Sequence, residues 1–217
     1  MSKALVIKEL RETGWIVLLA AGAFAYVWMG LTGHGFLTGS TQRVETIPFA
    51  DGQFLGEFEW TVAVFAVVLG LRQSAWETLR GTSVFLLWRP VARGRIFAIK
   101  LALGLGLLLG TSGLAILAYA LWADHPGTHA SPFYWSMAID TTMMWLAMTT
   151  VYLGAFAAGI RPGRIFGSRP LPLIAAIIPL AVASAELPVL ARIAFVLVID
   201  GLGLAAIYQV LQSRDYP

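Results

Sequence analysis

The feature that most constrains this chain is a series of long apolar runs, several of which approach the ~20 residues needed to cross a bilayer. Only 12% of the 217 residues are charged and 58% are hydrophobic, whereas a soluble domain carries about 25% charged residues. Lipid offers no partner for backbone polar groups, and the alternation of a membrane barrel is absent, so the runs predict helices. We therefore predict an all-α, multi-pass membrane protein in which residues 1–217 form a single transmembrane domain.

Six of these runs are predicted to be transmembrane spans. They cover residues 15–31, 55–71, 99–122, 134–159, 171–185 and 189–211. The second is the weakest prediction, because its uncharged part is short, and a re-entrant segment is the alternative. Pro172, Pro179 and Pro188 predict that the fifth span is kinked or broken.

The distribution of positive charge predicts how the spans are oriented. With six crossings and both termini in the cytoplasm, thirteen of the fifteen basic residues face the cytoplasm, as the positive-inside rule requires. Removing one crossing would place the most basic loop on the other side, so the rule favours a full second crossing. That loop carries Arg72, Arg80, Arg89, Arg93, Arg95 and Lys100.

Two segments are expected to lie at the cytoplasmic membrane surface. In residues 1–13, Ala4, Ile7 and Leu10 recur at helical spacing between charged residues, which predicts an amphipathic interfacial helix. At the start of the third span, a group of basic side chains is expected to anchor the chain at the lipid headgroups. This group comprises Arg89, Arg93, Arg95 and Lys100.

The cytoplasmic loop over residues 72–98 has the composition of a short helix that docks on a surface. Residues 75–84 can form two to three helical turns, and Glu77 in the first turn would suit the helix dipole. Glu77 and Arg80 are three residues apart and can pair, Gly81 weakens the helix, and Pro90 ends any helix before it. Physical reasoning leaves two interpretations open: an ordinary loop that contacts lipid phosphates, or a docking surface for a partner.

Several short motifs resemble the permease subunits of the type-two ABC exporter family. In the central loop these are Glu77-x-x-x-Gly81-Thr82, Leu86-Leu87, Pro90-Val91-x-Arg93, and Lys100 opening a glycine-rich span. The chain start, Ile7-Lys8-Glu9-Leu10-Arg11-Glu12, resembles the amphipathic connecting helix of that family. The predicted topology of six spans with cytoplasmic termini is also similar.

This resemblance implies a function and a set of partners. The segment near residues 75–84 would be the coupling helix, seated on a separate cytoplasmic ATPase subunit, with Glu77, Arg80, Gly81 and Thr82 as the coupling residues. Two permease copies, or this chain and a paralogue, would form the pathway in a cell membrane, expected to be a bacterial inner membrane. The chain has no G-x-x-x-x-G-K-[ST] phosphate loop. ATP and Mg would therefore bind the partner, and this chain is not expected to be an enzyme.

Two acids within the predicted spans support a competing hypothesis. Asp200 lies near the middle of the sixth span and Asp140 in the outer part of the fourth. A buried acid costs roughly 2.5–3.5 kcal/mol on insertion scales, so each should face a partner, a cavity or water. Asp200 could serve a stand-alone ion- or proton-coupled transporter or channel. The alternative for both acids is a hydrogen-bonded helix contact, for example with Thr or Ser of a neighbouring span.

Other chemistry finds little support in the sequence. The absence of cysteine excludes disulfides, thiolate metal sites and thiol catalysis. The histidines, His34, His125 and His129, all fall in predicted outer loops, so we predict no catalytic residue, no resident cofactor and no metal site, with a weak external site at His125 and His129 as the alternative. A membrane enzyme or assembly factor is the third functional class.

Glycines in the third span predict close helix packing. Gly106 and Gly110 form a G-x-x-x-G pattern, which lets two helices approach closely. We expect this contact to lie within the subunit, with a seam between two copies as the alternative.

Overall fold

A computed structural model describes residues 2–34, 44–50, 52–79, 93–161 and 167–213 of the chain. Seven α-helices occupy most of these residues. They are α1 (Ser2–Leu31), α2 (Gln53–Leu79), α3 (Arg93–Ala123), α4 (Ile139–Ile160), α5 (Leu171–Ala175), α6 (Ile177–Ala183) and α7 (Val189–Ser213). A short 3-10 turn, Trp135–Ala138, leads into α4.

Five helical segments are long and apolar enough to cross a membrane. They are Lys3–Leu31, Gln53–Trp76, Gly94–Ala123, Trp135–Ile160 and Val189–Gln212. The prediction of a helical protein with membrane-length helices is therefore confirmed, and the helices are compatible with a multi-pass membrane protein. The doubtful second run forms one continuous helix.

The predicted fifth span differs from the other five. It forms two helices of 5 and 7 residues that meet at Ala176, so the predicted break is confirmed. Pro179 lacks the backbone N–H that would continue the hydrogen-bond ladder across this point. Together, residues 171–183 rise only about 20 Å as helix, less than the ~30 Å of a hydrocarbon core. The six-span count therefore stays a prediction.

The N-terminal segment also differs from what its amphipathic pattern suggested. Residues 2–13 and the first predicted span belong to one uninterrupted helix, α1. No non-helical residue therefore separates the predicted interfacial segment from the predicted first span.

Helix α4 forms the centre of the bundle. In its apolar segment 83% of the residues are buried, compared with 17% in α1 and in α7. It packs against α2 and α3 on one side and against α5, α6 and α7 on the other, while α1 packs on α2 and α3. Threonine, alanine and methionine line much of α4, so neighbouring helices can approach it from all directions.

Helices α4 and α7 run parallel, side by side. Near their starts Arg192 meets Asp140, and further along Asp200 meets Thr149 and Thr150. Each contact joins residues about fifty positions apart, as a parallel pair requires. The chain between α4 and α7 must therefore return along the bundle, and α5 and α6 lie on this return.

The bundle has two ends, which we name by what they carry. The terminal face carries the start of α1, the end of α2 and the start of α3. The loop face carries the opposite ends, where Val44 forms a bridge with His129. The Val44 N–H donates to the Thr128 carbonyl and the Ala130 N–H to the Val44 carbonyl, both at 3.0 Å, so the two predicted outer loops are joined.

Aromatic rings fill the interior next to the loop face. The rings of Phe54 and Tyr119 stack with centroids 4.2 Å apart, and Phe49 meets both edge-on at 5.0 Å. Aromatic pairs of this kind contribute about 0.5–1.5 kcal/mol beyond the area they bury. This cluster fixes α2 against α3 at that end.

The G-x-x-x-G prediction for α3 requires a correction. A Cβ added at Gly106 or Gly110 would meet nothing within 4 Å in the described part of the chain, whereas Gly104 and Gly113 face other side chains. The close contacts of α3 within the subunit therefore involve different glycines. Gly106 and Gly110 are exposed, and the alternative of a seam between copies stays a prediction.

Candidate functional site

A buried polar cluster lies near the terminal face, where α1, α2, α3 and α4 meet. Its centre is an ion pair between Lys100 and Glu9, whose Nζ and Oε1 atoms are 3.2 Å apart. The two side chains are only 1% and 2% exposed. Charged groups within apolar helices usually pair in this way, because neither could otherwise leave water without a large cost.

Helices α2 and α4 complete the cluster. Lys100 Nζ also donates to the Gln73 carbonyl at 3.2 Å, and the Tyr152 hydroxyl donates to Gln73 Oε1 at 2.6 Å. Each of four helices thus contributes one side chain, and Gln73 links the ion pair to the centre of the bundle. The Gln73 Nε2 atom is buried without a hydrogen-bond partner among the described residues.

Two glycines make room for this cluster. A Cβ at Gly104 would collide with the Tyr152 hydroxyl and Gln73 Oε1, and a Cβ at Gly159 would collide with Ser74. The Ser74 hydroxyl itself donates to the Gly70 carbonyl at 2.7 Å. At both positions, therefore, only glycine lets the helix backbone come this close to the side chains of the neighbouring helix.

A more exposed set of charges surrounds the cluster. Glu12 lies 4.0 Å from Arg72 and 3.6 Å from Lys8. The Arg72 guanidinium lies 4.7 Å above the ring of Trp76, a cation–π contact. The contact between Glu12 and Arg72 adds a second, more exposed link between α1 and α2.

The predicted coupling residues fall only in part within the described structure. Arg80, Gly81 and Thr82 lie outside it. The backbone of Glu77 lies in the last turn of α2, because residues 75–79 continue that helix. Glu77 is therefore not in the first turn of a separate helix, and the dipole argument for it does not hold.

The predicted headgroup anchors separate into different environments. Arg89 and the Arg93 side chain lie outside the described residues, and Arg95 is exposed near the start of α3. Lys100 is enclosed by Glu9 and Gln73, so its ammonium group does not reach the headgroups. The hydropathy pattern could not reveal this, because Glu9 is 91 positions away in the sequence.

Asp200 lies between α7 and α4 and accepts two hydrogen bonds. The Thr149 hydroxyl donates to Oδ2, and the Thr150 hydroxyl donates to Oδ1 at 2.8 Å. This is the threonine contact between spans that the sequence offered as the simpler alternative.

Asp140 is part of a second charged pair close to the loop face. Arg192 Nη1 donates to Asp140 Oδ1 at 2.8 Å and to the Ala183 carbonyl at 3.0 Å. The Arg192 side chain is 9% exposed and that of Asp140 is 70% exposed. The pair connects α4, α6 and α7.

No group of three or more potential metal-ligating side chains occurs in the described ranges. His125 is exposed and contacts the Leu121 carbonyl, whereas His129 is buried against Trp122. Comparisons of the chain with family models, with curated proteins and with solved structures found no significant match.

Proposed function

We propose that this chain is the membrane-spanning permease subunit of an ATP-binding-cassette exporter. Two permease copies, or this chain and a paralogue, form the pathway, and a separate cytoplasmic ATPase binds ATP and Mg. The terminal face is then the cytoplasmic face of a cell membrane, a bacterial inner membrane being the expected one. The motifs around residues 77–100 and the chain start support this assignment.

One structural observation carries the proposal furthest. Residues 80–92 connect α2 to α3, and the buried cluster ties the adjoining parts of both helices to α1 and α4 through Gln73, Lys100, Glu9 and Tyr152. A displacement applied to residues 80–92 would therefore move four helices together. A membrane subunit driven from one face by an ATPase needs such a connection.

The decisive experiment combines partner identification with a charge reversal. The tagged chain is purified from its native membrane, the accompanying phosphate-loop ATPase is identified, and the two are reconstituted in liposomes. We expect the chain to stimulate ATP hydrolysis, and Glu77→Lys to return the rate to that of the free ATPase. Glu57→Lys, on the same helix but at the loop face, is the matched control and should retain stimulation. A preparation without an ATPase, or full stimulation with Glu77→Lys, would contradict the proposal.

A second candidate, a stand-alone ion- or proton-coupled transporter, rests on the position of Asp200 near the middle of α7. A carboxylate held by Thr149 and Thr150 near the middle of α7 is suited to exchanging a proton or holding an ion. Transport by the purified chain alone under an ion gradient, lost with Asp200→Asn, would support this candidate over the exporter.

A further inference from the structure

A groove of about 430 Å³ lies between α4, α5 and α7, on the side of the bundle away from α1. Its volume is within the ~300–1,000 Å³ typical of small-molecule sites. Small residues, among them Ala157, Ala175, Gly203 and Ala206, leave the space, whereas Gly154 lies in close contact with Pro172 of α5. The break between α5 and α6 also borders the groove, since Ala176 lines it together with Pro172.

The groove has a cation at one end and apolar walls along its length. Arg161 lies at one end, one residue beyond the end of α4, and Leu153, Ile199 and Leu202 line the groove further along. The other end reaches Thr150, whose hydroxyl donates to Asp200. From Arg161 to Thr150 the groove follows α4 for about 16 Å, close to the ~15 Å of hydrocarbon in one leaflet.

The positive charge at the Arg161 end of the groove is available to a ligand. Arg161 makes one long hydrogen bond, 3.5 Å to the Ser168 carbonyl, and within the described ranges no carboxylate pairs with it. The nearby Arg169 instead donates to the Ala158 and Gly159 carbonyls and so caps α4. Arg161 is therefore the cation at this end that can accept an anion without giving up an ion pair.

From this geometry we propose that the groove binds one anionic phospholipid, with an acyl chain along α4 and the phosphate on Arg161. A basic side chain above an apolar cleft between membrane helices complements such a lipid in both charge and polarity. The site is separate from the buried cluster and does not depend on the exporter assignment. The lipid would occupy the groove between α4, α5 and α7.

The test uses native mass spectrometry of the full-length chain in detergent, titrated with phosphatidylglycerol or phosphatidylcholine of the same acyl composition. We expect one tightly bound phosphatidylglycerol and weaker binding of phosphatidylcholine. Arg161→Gln should weaken phosphatidylglycerol about fivefold, the effect of one arginine near a lipid phosphate. Arg11→Gln, at an exposed arginine on α1 outside the groove lining, is its control.

The apolar part of the groove has its own pair of variants. Ala206→Leu adds bulk inside the groove and should also lower phosphatidylglycerol binding, whereas Ala205→Leu, at the adjacent exposed position outside the lining, should not. If Ala206→Leu does not yield folded protein by circular dichroism, Ala175→Leu fills the groove from α5.

Each departure from this pattern overturns the proposal. Equal binding of the two lipids would show that charge does not select the ligand. Loss with Arg161→Gln but not with the filling variants would leave only a surface charge. Loss with the filling variants alone would leave only a non-selective apolar contact. Binding of glycerol 3-phosphate with the affinity of the lipid would identify a phosphate site and exclude the acyl chain.

Discussion

At the residue scale, the ion pair between Lys100 and Glu9 is the interaction with the largest expected effect on stability. Both side chains are almost completely buried, and Lys100 Nζ also donates a hydrogen bond to the Gln73 backbone carbonyl. When one member of a buried pair is removed, the other is left as an uncompensated charge. Removing one partner is therefore expected to destabilise the protein strongly, even though the intact pair adds little net stability.

We expect Lys100→Met to lower the free energy of unfolding by about 3–5 kcal/mol, because the Glu9 carboxylate would remain buried without its counter-ion. Chemical denaturation in detergent measures the change. The double variant Glu9→Leu with Lys100→Met should recover most of the loss. Lys8→Met should change little, because the Lys8 side chain is 37% exposed and its contacts, 3.9 Å to Glu9 and 3.6 Å to Glu12, are long. Equal effects of Lys100→Met and Lys8→Met would contradict the burial of this pair.

Gly104 provides a second test at this scale, because its missing Cβ leaves room for the Tyr152 hydroxyl and Gln73. Gly104→Ala should destabilise the protein by about 1–3 kcal/mol through overpacking. Gly106→Ala, two residues along the same helix, meets nothing within 4 Å and should be neutral or stabilising by about 0.5–1 kcal/mol. Thermal unfolding of the two variants side by side measures the difference. A Gly104→Ala variant as stable as Gly106→Ala would disprove the close approach.

At the element scale, the structure depends on how closely α2 approaches the central helix α4. A Cβ at Gly70 would lie 2.7 Å from the Tyr152 carbonyl oxygen and 2.9 Å from the Ala155 Cβ. The first of these is a backbone atom, so the obstacle cannot move as a side chain can. Small residues at such crossings are how membrane helices gain packing energy without a hydrophobic driving force.

Gly70→Ala is therefore expected to separate α2 from α4 and to cost at least the ~1–3 kcal/mol of an overpacked site. The matched variant Gly56→Ala lies on the same helix, exposed and with no atom within 4 Å, and should not destabilise. A reduced midpoint in a denaturant titration for Gly70→Ala alone is the expected result. If both variants behave alike, the close crossing of α2 and α4 is wrong.

The helices could be predicted from the sequence more completely than the contacts between them. Hydropathy sums over a window, so it found the long helices and, with the prolines, the break near Pro179. It takes no account of partners distant in sequence, and so Lys100 was predicted to reach headgroups although Glu9 encloses it. It also suggested Gly106 and Gly110 rather than Gly104, because a short spacing pattern contains no information on which face of α3 meets α2 and α4.

At the scale of the whole molecule, the path of the chain between α4 and α7 decides the topology. These helices run parallel, so residues 161–188 must bring the chain back to the loop face. The helices on this return are short. Because the chain nevertheless comes back to the loop face before α7, we expect both termini on one side of the membrane. This is also the arrangement that the positive-inside rule favours.

The chain lacks cysteine, so single introduced cysteines can report this topology directly. We expect Lys3→Cys and Gln212→Cys, both at exposed positions of the terminal face, to react with an impermeant maleimide only from the cytoplasmic side. Asp124→Cys and Glu186→Cys, at exposed positions near the loop face, should react only from the opposite side. Labelling of Lys3→Cys and Gln212→Cys from opposite sides would show an odd number of crossings.

The parallel pairing of α4 with α7 also has a consequence for biosynthesis. Asp200 adds about 2.5–3.5 kcal/mol to the cost of moving α7 from the translocon into lipid by itself. In a chain inserted during translation, α4 would leave the ribosome before α7, so the hydroxyls of Thr149 and Thr150 would already be in the membrane when α7 emerges. The order of translation would thus present the donors before the acceptor, and α7 would enter the bilayer beside a partner that offsets part of its charge.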